Sequence, residues 1–402
     1  MVGHPVLWLL VAAVAGPLLG EIPLGFRVPV VVLEVILGIL IGPQVLGLVR
    51  FEGFVATMFT FGMAASLFTA GMELDFARIR GRPLSLAVRG WTISLVLGLA
   101  VTGLLRATPS VHAPLMVALA LATTALGTLL PVFRDTGQLD TPFGQLFVAA
   151  GTVGEVGPII AMALLLSQRY SSWLEFSFLL VFVAVVLSAA AVGVRARPPQ
   201  VVALISRTMH ASSQLPVRVA LLILAAFFVL SEQFGFESIL GAFAAGMIVG
   251  LATRGREGTA FRGKIDAVLF GWFMPFFFVG TGIKFDLKAL TRDVTTVLLV
   301  PTFLLLFLLV RGSPVLLYRR DLPRTERLPF ALFTSVASLS LVVVITEIGV
   351  HGGRMSPDIA AALVGAAVLS VLLFPAVAGV LLSNAARRAG RHDSKPAPSP
   401  AN

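Results

Sequence analysis

The chain contains no cysteine, and only 20 acidic residues and 5 histidines among 402. Without cysteine there are no disulfides, thiolate metal sites or cysteine nucleophiles. Charged residues make up 12% of the chain, half of the about 25% that a soluble domain carries. So little charge cannot clothe a globule of this length in water. A soluble enzyme, a nucleic-acid-binding protein and a disordered chain are therefore excluded. No Walker sequence, dinucleotide fingerprint or cluster of metal-binding histidines occurs, and all five histidines fall in loops or tails. No cofactor, no enzymatic role and no nucleic-acid partner are expected.

Hydrophobic residues make up 57% of the sequence, and the mean hydropathy is +0.96. The apolar runs are long and continuous, unlike the alternating segments of about ten residues that build a membrane barrel. The expected class is an all-α polytopic membrane protein in a lipid bilayer. A span needs about 20 mostly apolar residues. Thirteen candidates meet this approximately: 5–20, 28–46, 54–74, 83–105, 113–133, 141–167, 173–194, 216–232, 236–253, 264–283, 295–318, 327–349 and 357–384. Residues 5–20 lack a basic leader and a small-residue cleavage site, so they are read as a first span. Residues 387–402 are polar, basic and proline-rich, and are expected to form a disordered cytoplasmic tail.

The net charge of +10 is carried mostly by arginine. With the C-terminus inside, thirteen spans put the N-terminus outside. That arrangement places 21 basic residues on the inner face and 7 on the outer one, with Arg89 and Arg311 within spans. Positive charge concentrates in cytoplasmic connections, so the bias sets the orientation across the cell membrane.

Weak internal similarity recurs at one offset. TAGMELDF (69–76) resembles GTGIKFDL (280–287), and Thr123-Thr124 falls on Thr334-Ser335. Gly38 and Gly42 are echoed by Gly241 and Gly246. The shift is seven spans, an odd number, so the second copy would be inverted in the membrane. Inverted repeats are a transporter feature, with the substrate site expected near the midplane.

An ionisable group at the bilayer centre costs about 2.5–3.5 kcal/mol or more, so each needs a reason. Glu73, Asp75, Lys284 and Asp286 lie at span ends and are expected to snorkel to water. Three others lie inside spans. Glu155 is central to the sixth span, among Gly151, Gly154, Gly157 and Pro158. Pro158 frees the carbonyl of Gly154 one turn back, and a carboxylate beside a free carbonyl suits a hard cation. Arg311 stays charged in a protein and needs Glu155 or helix-end carbonyls as partner. Glu34, early in the second span, is assigned a cavity-lining or structural role, a dimer contact being the other reading.

The fifth span carries Thr123, Thr124, Gly127, Thr128 and Pro131; the twelfth carries Thr334, Ser335, Ser338 and Ser340. Such hydroxyl patches serve as helix–helix contacts or mark interrupted helices that bind ions. Their equivalent places in the two repeats favour two crossing, discontinuous helices.

Six segments in order resemble the monovalent cation:proton antiporter superfamily, the sodium/proton exchanger fold in its bacterial Kef-type and related branch. They are RVPVVVLEVILGILIGPQVLGLV, LFTAGMELDF, TTALGTLLPVFRDTGQLDTPFGQLFVAAGTVGEVGPII, LGAFAAGMIVG, PFFFVGTGIKFDL and MSPDIAAALVGAAVLSVLLFPAVA. The resemblance covers about residues 5–384. It implies a homodimer built on a dimer part (about 5–74 and 216–283), a linker helix (173–194) and a moving core part (about 83–167 and 295–384) within one transmembrane domain, residues 1–386. It places the family's acidic pair on Gly154 and Glu155, and its ion-site base on Arg311 as charge-balancing residue. Its crossing helices fall on the fifth and twelfth spans, around Thr123–Thr128 and Thr334–Ser340. Gly154 and Leu339 depart from the family pattern, which often has polar or acidic groups there.

The function implied is exchange of Na⁺ or K⁺ for H⁺, both ions competing for Glu155 with Thr123, Thr124, Thr128 and Gly154 around it. With one titrating carboxylate the cycle would be electroneutral, 1:1. The rival expectation is a carrier of an organic acid or anion on a related fold, coupled to H⁺ or Na⁺ and using Arg311.

Overall fold

Backbone groups in lipid must satisfy one another, which leaves apolar runs of this length no better option than helices. The computed structural model describes residues 4–22, 28–74, 79–105, 114–165, 211–234, 237–253 and 256–393, together with 188 and 208. All regular structure among them is helical. The expected seventh span (173–194) apart from residue 188, Asp75 and residues 394–402 lie outside the described residues.

The helices are α1 (Pro5–Gly20), α2 (Val30–Ile41), α3 (Phe54–Glu73), α4 (Arg82–Leu105), α5 (Pro114–Leu121), α6 (Leu126–Asp135) and α7 (Pro142–Leu165). After the undescribed stretch come α8 (Leu215–Gln233), α9 (Ser238–Ala252), α10 (Arg256–Val268), α11 (Met274–Lys284), α12 (Leu287–Thr291) and α13 (Val294–Phe307). The chain ends with α14 (Arg324–Thr334), α15 (Leu339–His351) and α16 (Pro357–Asp393). A π-helical turn at Leu269–Phe273 joins α10 to α11, and another at Leu308–Gly312 leads from α13 into a short 3₁₀ stretch.

Among the described residues seven helices are long and apolar enough to cross a membrane, or eight if the bent pair α14–α15 is one span. Shorter apolar helices cover 5–20, 30–41, 114–130 and 238–252. The chain is thus a multi-pass membrane protein. Two local expectations change. His351 closes α15 instead of lying in a loop, and α16 runs on to Asp393, into the tail expected to be disordered. Alanine and arginine, both good helix formers, dominate that extension.

Packing sorts the helices by neighbour. α3 lies against α9 and α11, and α2 against α1 and α11. α4 lies against α5 and α7, and α16 against α13, α14 and α15. Two contacts are close enough to require glycine. A Cβ on Gly38 would strike the Val279 carbonyl and one on Gly282 the Val35 carbonyl, so α2 and α11 touch backbone to backbone. Gly71 and Gly246 do the same for α3 and α9. Small residues permit such approach where no hydrophobic force drives helices together in lipid.

Candidate ion site at the helix crossing

The fifth and twelfth expected spans are both interrupted. The chain leaves the helix at 122–125, between α5 and α6, and at 335–338, between α14 and α15, with a bend of 42° at the second break. The breaks lie against one another. Ala125 N–H donates to the Val336 carbonyl at 2.8 Å, and Ser338 N–H donates to Thr123 Oγ1 at 3.3 Å. Thr124 Oγ1 donates to the Thr334 carbonyl at 2.7 Å. Ser370, on α16, accepts from Ala337 N–H at 3.0 Å. Interrupting two helices orphans backbone groups; these bonds satisfy them across the crossing. Thr334 and Ser335 turn their hydroxyls back onto carbonyls of their own helix, the nearest being Phe330 at 2.9 Å and Ala331 at 2.6 Å.

Arg311 sits on the second π-helical turn and is 3% exposed. Its Nε donates to Thr124 Oγ1 at 2.7 Å and its Nη2 donates to the Ala150 carbonyl at 2.6 Å. Of the two partners open to it, a carboxylate or free carbonyls, the structure supplies a carbonyl and a hydroxyl. No ion pair joins Arg311 to Glu155 among the described residues. The reason is rotation about α7. Successive residues lie about 100° apart on a helix, so Ala150 and Gly154 face Arg311 while Glu155 faces elsewhere. A Cβ on Gly154 would stand 2.6 Å from Thr124 Oγ1 and 2.8 Å from Arg311 Nη2. The bare glycine is what lets the guanidinium through. The carbonyl of Gly154, freed by Pro158, accepts from Thr124 N–H at 3.2 Å. One of its two lone pairs is therefore engaged by the crossing.

Glu155 is 4% exposed and points at the start of α6. Its Oε1 accepts from Leu126 N–H at 3.2 Å, and the Gly127 N–H also faces the carboxylate. A helix N-terminus with its unpaired N–H groups favours negative charge. The other oxygen, Oε2, is buried with no hydrogen-bond partner among the described residues. Sequence reasoning missed its neighbour. Glu73, at the end of α3, was expected to snorkel, yet its Oε2 is also buried without a partner. That oxygen lies 2.8 Å from where a Cβ on Gly127 would be, and the Glu73 charge acts on Glu155. α3 contacts α6 directly, which carries the span-end carboxylate inward. The signal available in the sequence was Glu73 ending a helix of small residues, ASLFTAGME, that α9 can approach closely.

The remaining expected residues are spread around this centre. Thr128 is half-buried within the first turn of α6, and Pro131 lies in the same helix. Ser340 Oγ bonds Ser66 Oγ at 2.6 Å, linking α15 to α3. Lys284 does not reach water alone; it pairs with Glu347 and lies 4.8 Å from the centre of the Phe51 ring. Asp286 accepts from Ala289 N–H at 2.9 Å and from Gln44 at 3.1 Å. Glu34 is distant from the crossing and lines a separate cavity.

Known proteins resemble this chain in sequence and in fold. The family described as sodium/hydrogen exchanger, transmembrane, matches residues 9–383. A putative Na⁺/H⁺ antiporter of Bacillus subtilis, YjbQ, is 26% identical over 87% of this chain, which spans 58% of that relative's length. The Na⁺/H⁺-K⁺ antiporter GerN of Bacillus cereus is 24% identical over 89% of this chain and 91% of its own. The sodium proton antiporter MjNhaP1 of Methanocaldococcus jannaschii superimposes with a TM-score of 0.60 at 19% identity, covering 94% of this chain and 97% of that one. At that identity the likeness establishes the fold.

Proposed function

The chain belongs to the transmembrane sodium/hydrogen exchanger family, and on that premise we propose that it exchanges Na⁺ or K⁺ for H⁺ by alternating access. The observation that carries this reading is the pair of buried carboxylates, Glu155 and Glu73, each with an oxygen that has no hydrogen-bond partner among the described residues. Two such oxygens at the start of one helix are hard donors without a cation, and hard donors suit Na⁺ and K⁺. Two ionised carboxylates there repel; one proton or one monovalent cation relieves the repulsion equally. The pair then holds one proton in one half-cycle and one cation in the other. Net charge on the site is the same in both, so exchange is electroneutral, 1:1. Arg311 keeps its charge throughout and serves as a fixed balance beside the crossing.

Relatives named as Na⁺/H⁺ and Na⁺/H⁺-K⁺ antiporters support this substrate class. The anion-carrier alternative needs a free guanidinium, whereas Arg311 spends its Nε and Nη2 on Thr124 and Ala150. The glycine contacts support an inverted repeat: α2 on α11 through Gly38 and Gly282 is matched by α9 on α3 through Gly246 and Gly71. In this reading α1–α3 and α8–α11 form the dimer part, α4–α7 and α13–α16 the moving core, with thirteen spans, the C-terminus cytoplasmic and a homodimer in the cell membrane.

The experiment is transport in proteoliposomes with an imposed pH gradient. Addition of Na⁺ or K⁺ alone should collapse the gradient, at a rate independent of membrane potential. Glu155→Gln should abolish it. A gradient that only an organic anion dissipates would replace this reading with the carrier alternative.

A further inference from the structure

A second buried acid stands apart from the ion site. Glu34, on α2, is 4% exposed, and no hydrogen bond or ion pair reaches its carboxylate among the described residues. It lines a cavity of about 560 Å³ between α1, α2 and the π-helical turn before α11. Pro17, Leu18, Val31, Phe270 and Gly271 share the wall, so the carboxyl is the polar feature of an apolar chamber. Leu18 and Phe270 are exposed at the rim. In a membrane protein such a rim meets acyl chains.

Depth and shape add two constraints. Glu34 stands one turn from the start of α2, so it lies within about 6 Å of the helix end along the axis. With the start of α2 at the edge of the hydrocarbon core, that is within reach of the headgroup zone, which adds about 5–7 Å to each side. The wall on the far side is a π-helical turn, a rare feature that is frequent at functional sites. Gly271 on that turn has open space where a Cβ would be, so the cavity is not filled by the protein's own side chains.

We propose that this cavity binds a lipid whose headgroup carries an N–H-bearing ammonium, the ammonium donating to Glu34 and the apolar body lying against α1 and the π-helical turn. The carboxylate selects for positive charge with hydrogen-bond donors, and the greasy rim selects for a ligand delivered from the bilayer. A quaternary ammonium has the charge but no N–H to give. This site is independent of the exchange reading, because Glu155 and Glu73 take no part in it.

The test is native mass spectrometry of the full chain in detergent, titrated with dioleoyl phosphatidylethanolamine or dioleoyl phosphatidylcholine. The parent should bind the ethanolamine lipid about tenfold more tightly, as one charge-assisted hydrogen bond would give. Glu34→Gln should erase that preference. Gly271→Leu, which fills the cavity without touching the carboxyl, should weaken ethanolamine-lipid binding while melting like the parent. Glu155→Gln should leave the preference intact. Equal affinity for the two lipids in the parent, or a preference that survives in Glu34→Gln, would overturn the proposal. Displacement of the bound lipid by millimolar ethylammonium would assign the cavity to a soluble amine and overturn the lipid.

Discussion

The guanidinium of Arg311 donates to the hydroxyl of Thr124 at 2.7 Å, and Thr124 passes a bond of the same length to the Thr334 carbonyl. A residue on one helix thereby ties together the breaks in two others. The guanidinium is built into the crossing instead of being paired with Glu155.

Arg311 should therefore matter for stability before it matters for chemistry. A hydrogen bond to a charged group contributes about 1.5–3 kcal/mol, and Arg311→Ala removes two, to Thr124 and Ala150. Lysine cannot reproduce the fork. Thermal unfolding in detergent should show a lower midpoint for both Arg311→Ala and Arg311→Lys, with the alanine variant lower. A midpoint equal to the parent's in both would mean the crossing stands without the guanidinium.

The two acids should separate in transport assays. Glu155→Gln should lose exchange altogether while retaining its bond from Leu126, since the amide oxygen still accepts. Glu73→Gln should retain exchange with a KM for the cation raised about tenfold, the loss of one charged ligand contact. Titrating activity against pH should show a different profile for Glu73→Gln, because the remaining acid loses its like-charged neighbour. An unchanged KM and profile would remove Glu73 from the site.

Gly154 is predicted to tolerate nothing larger. Its added Cβ would meet Thr124 Oγ1 at 2.6 Å and Arg311 Nη2 at 2.8 Å, and overpacking of this kind costs about 1–3 kcal/mol. Gly154→Ala should lower the unfolding midpoint and cut exchange. The control is Gly263→Ala, where a Cβ meets open space and neither quantity should move.

Lys284 and Glu347 join α11 to α15, and His351 Nδ1 lies 3.4 Å from the same carboxylate. Partly exposed pairs contribute about 0.2–1 kcal/mol. Lys284→Gln should thus change the exchange rate no more than about fivefold. The swapped variant, Lys284→Glu with Glu347→Lys, should return toward the parent rate. Failure of the swap to recover, with both proteins folded, would show that the pair does not bias the conformations exchanged.

Much of this molecule was legible one residue at a time. Low charge and long apolar runs require membrane helices, because no other backbone arrangement satisfies itself in lipid. The hydroxyl clusters at Thr123–Thr124 and Thr334–Ser335 stand where the chain leaves the helix, since hydroxyls can bond the carbonyls and N–H groups that a break exposes. The central depth of Glu155 followed from counting along one span. What counting cannot give is rotation and neighbours. Whether α7 turns Glu155 or Gly154 toward Arg311 is a matter of about 100°, and packing of α7 against α4, α6 and α14 decides it. Glu73 belongs beside Glu155 only because α3 contacts α6, a pairing between helices distant in the chain. Sequence thus determined which runs form apolar helices and which charged groups fall on them; tertiary packing decided which of those groups meet, because helix formation depends on one segment while contact depends on two.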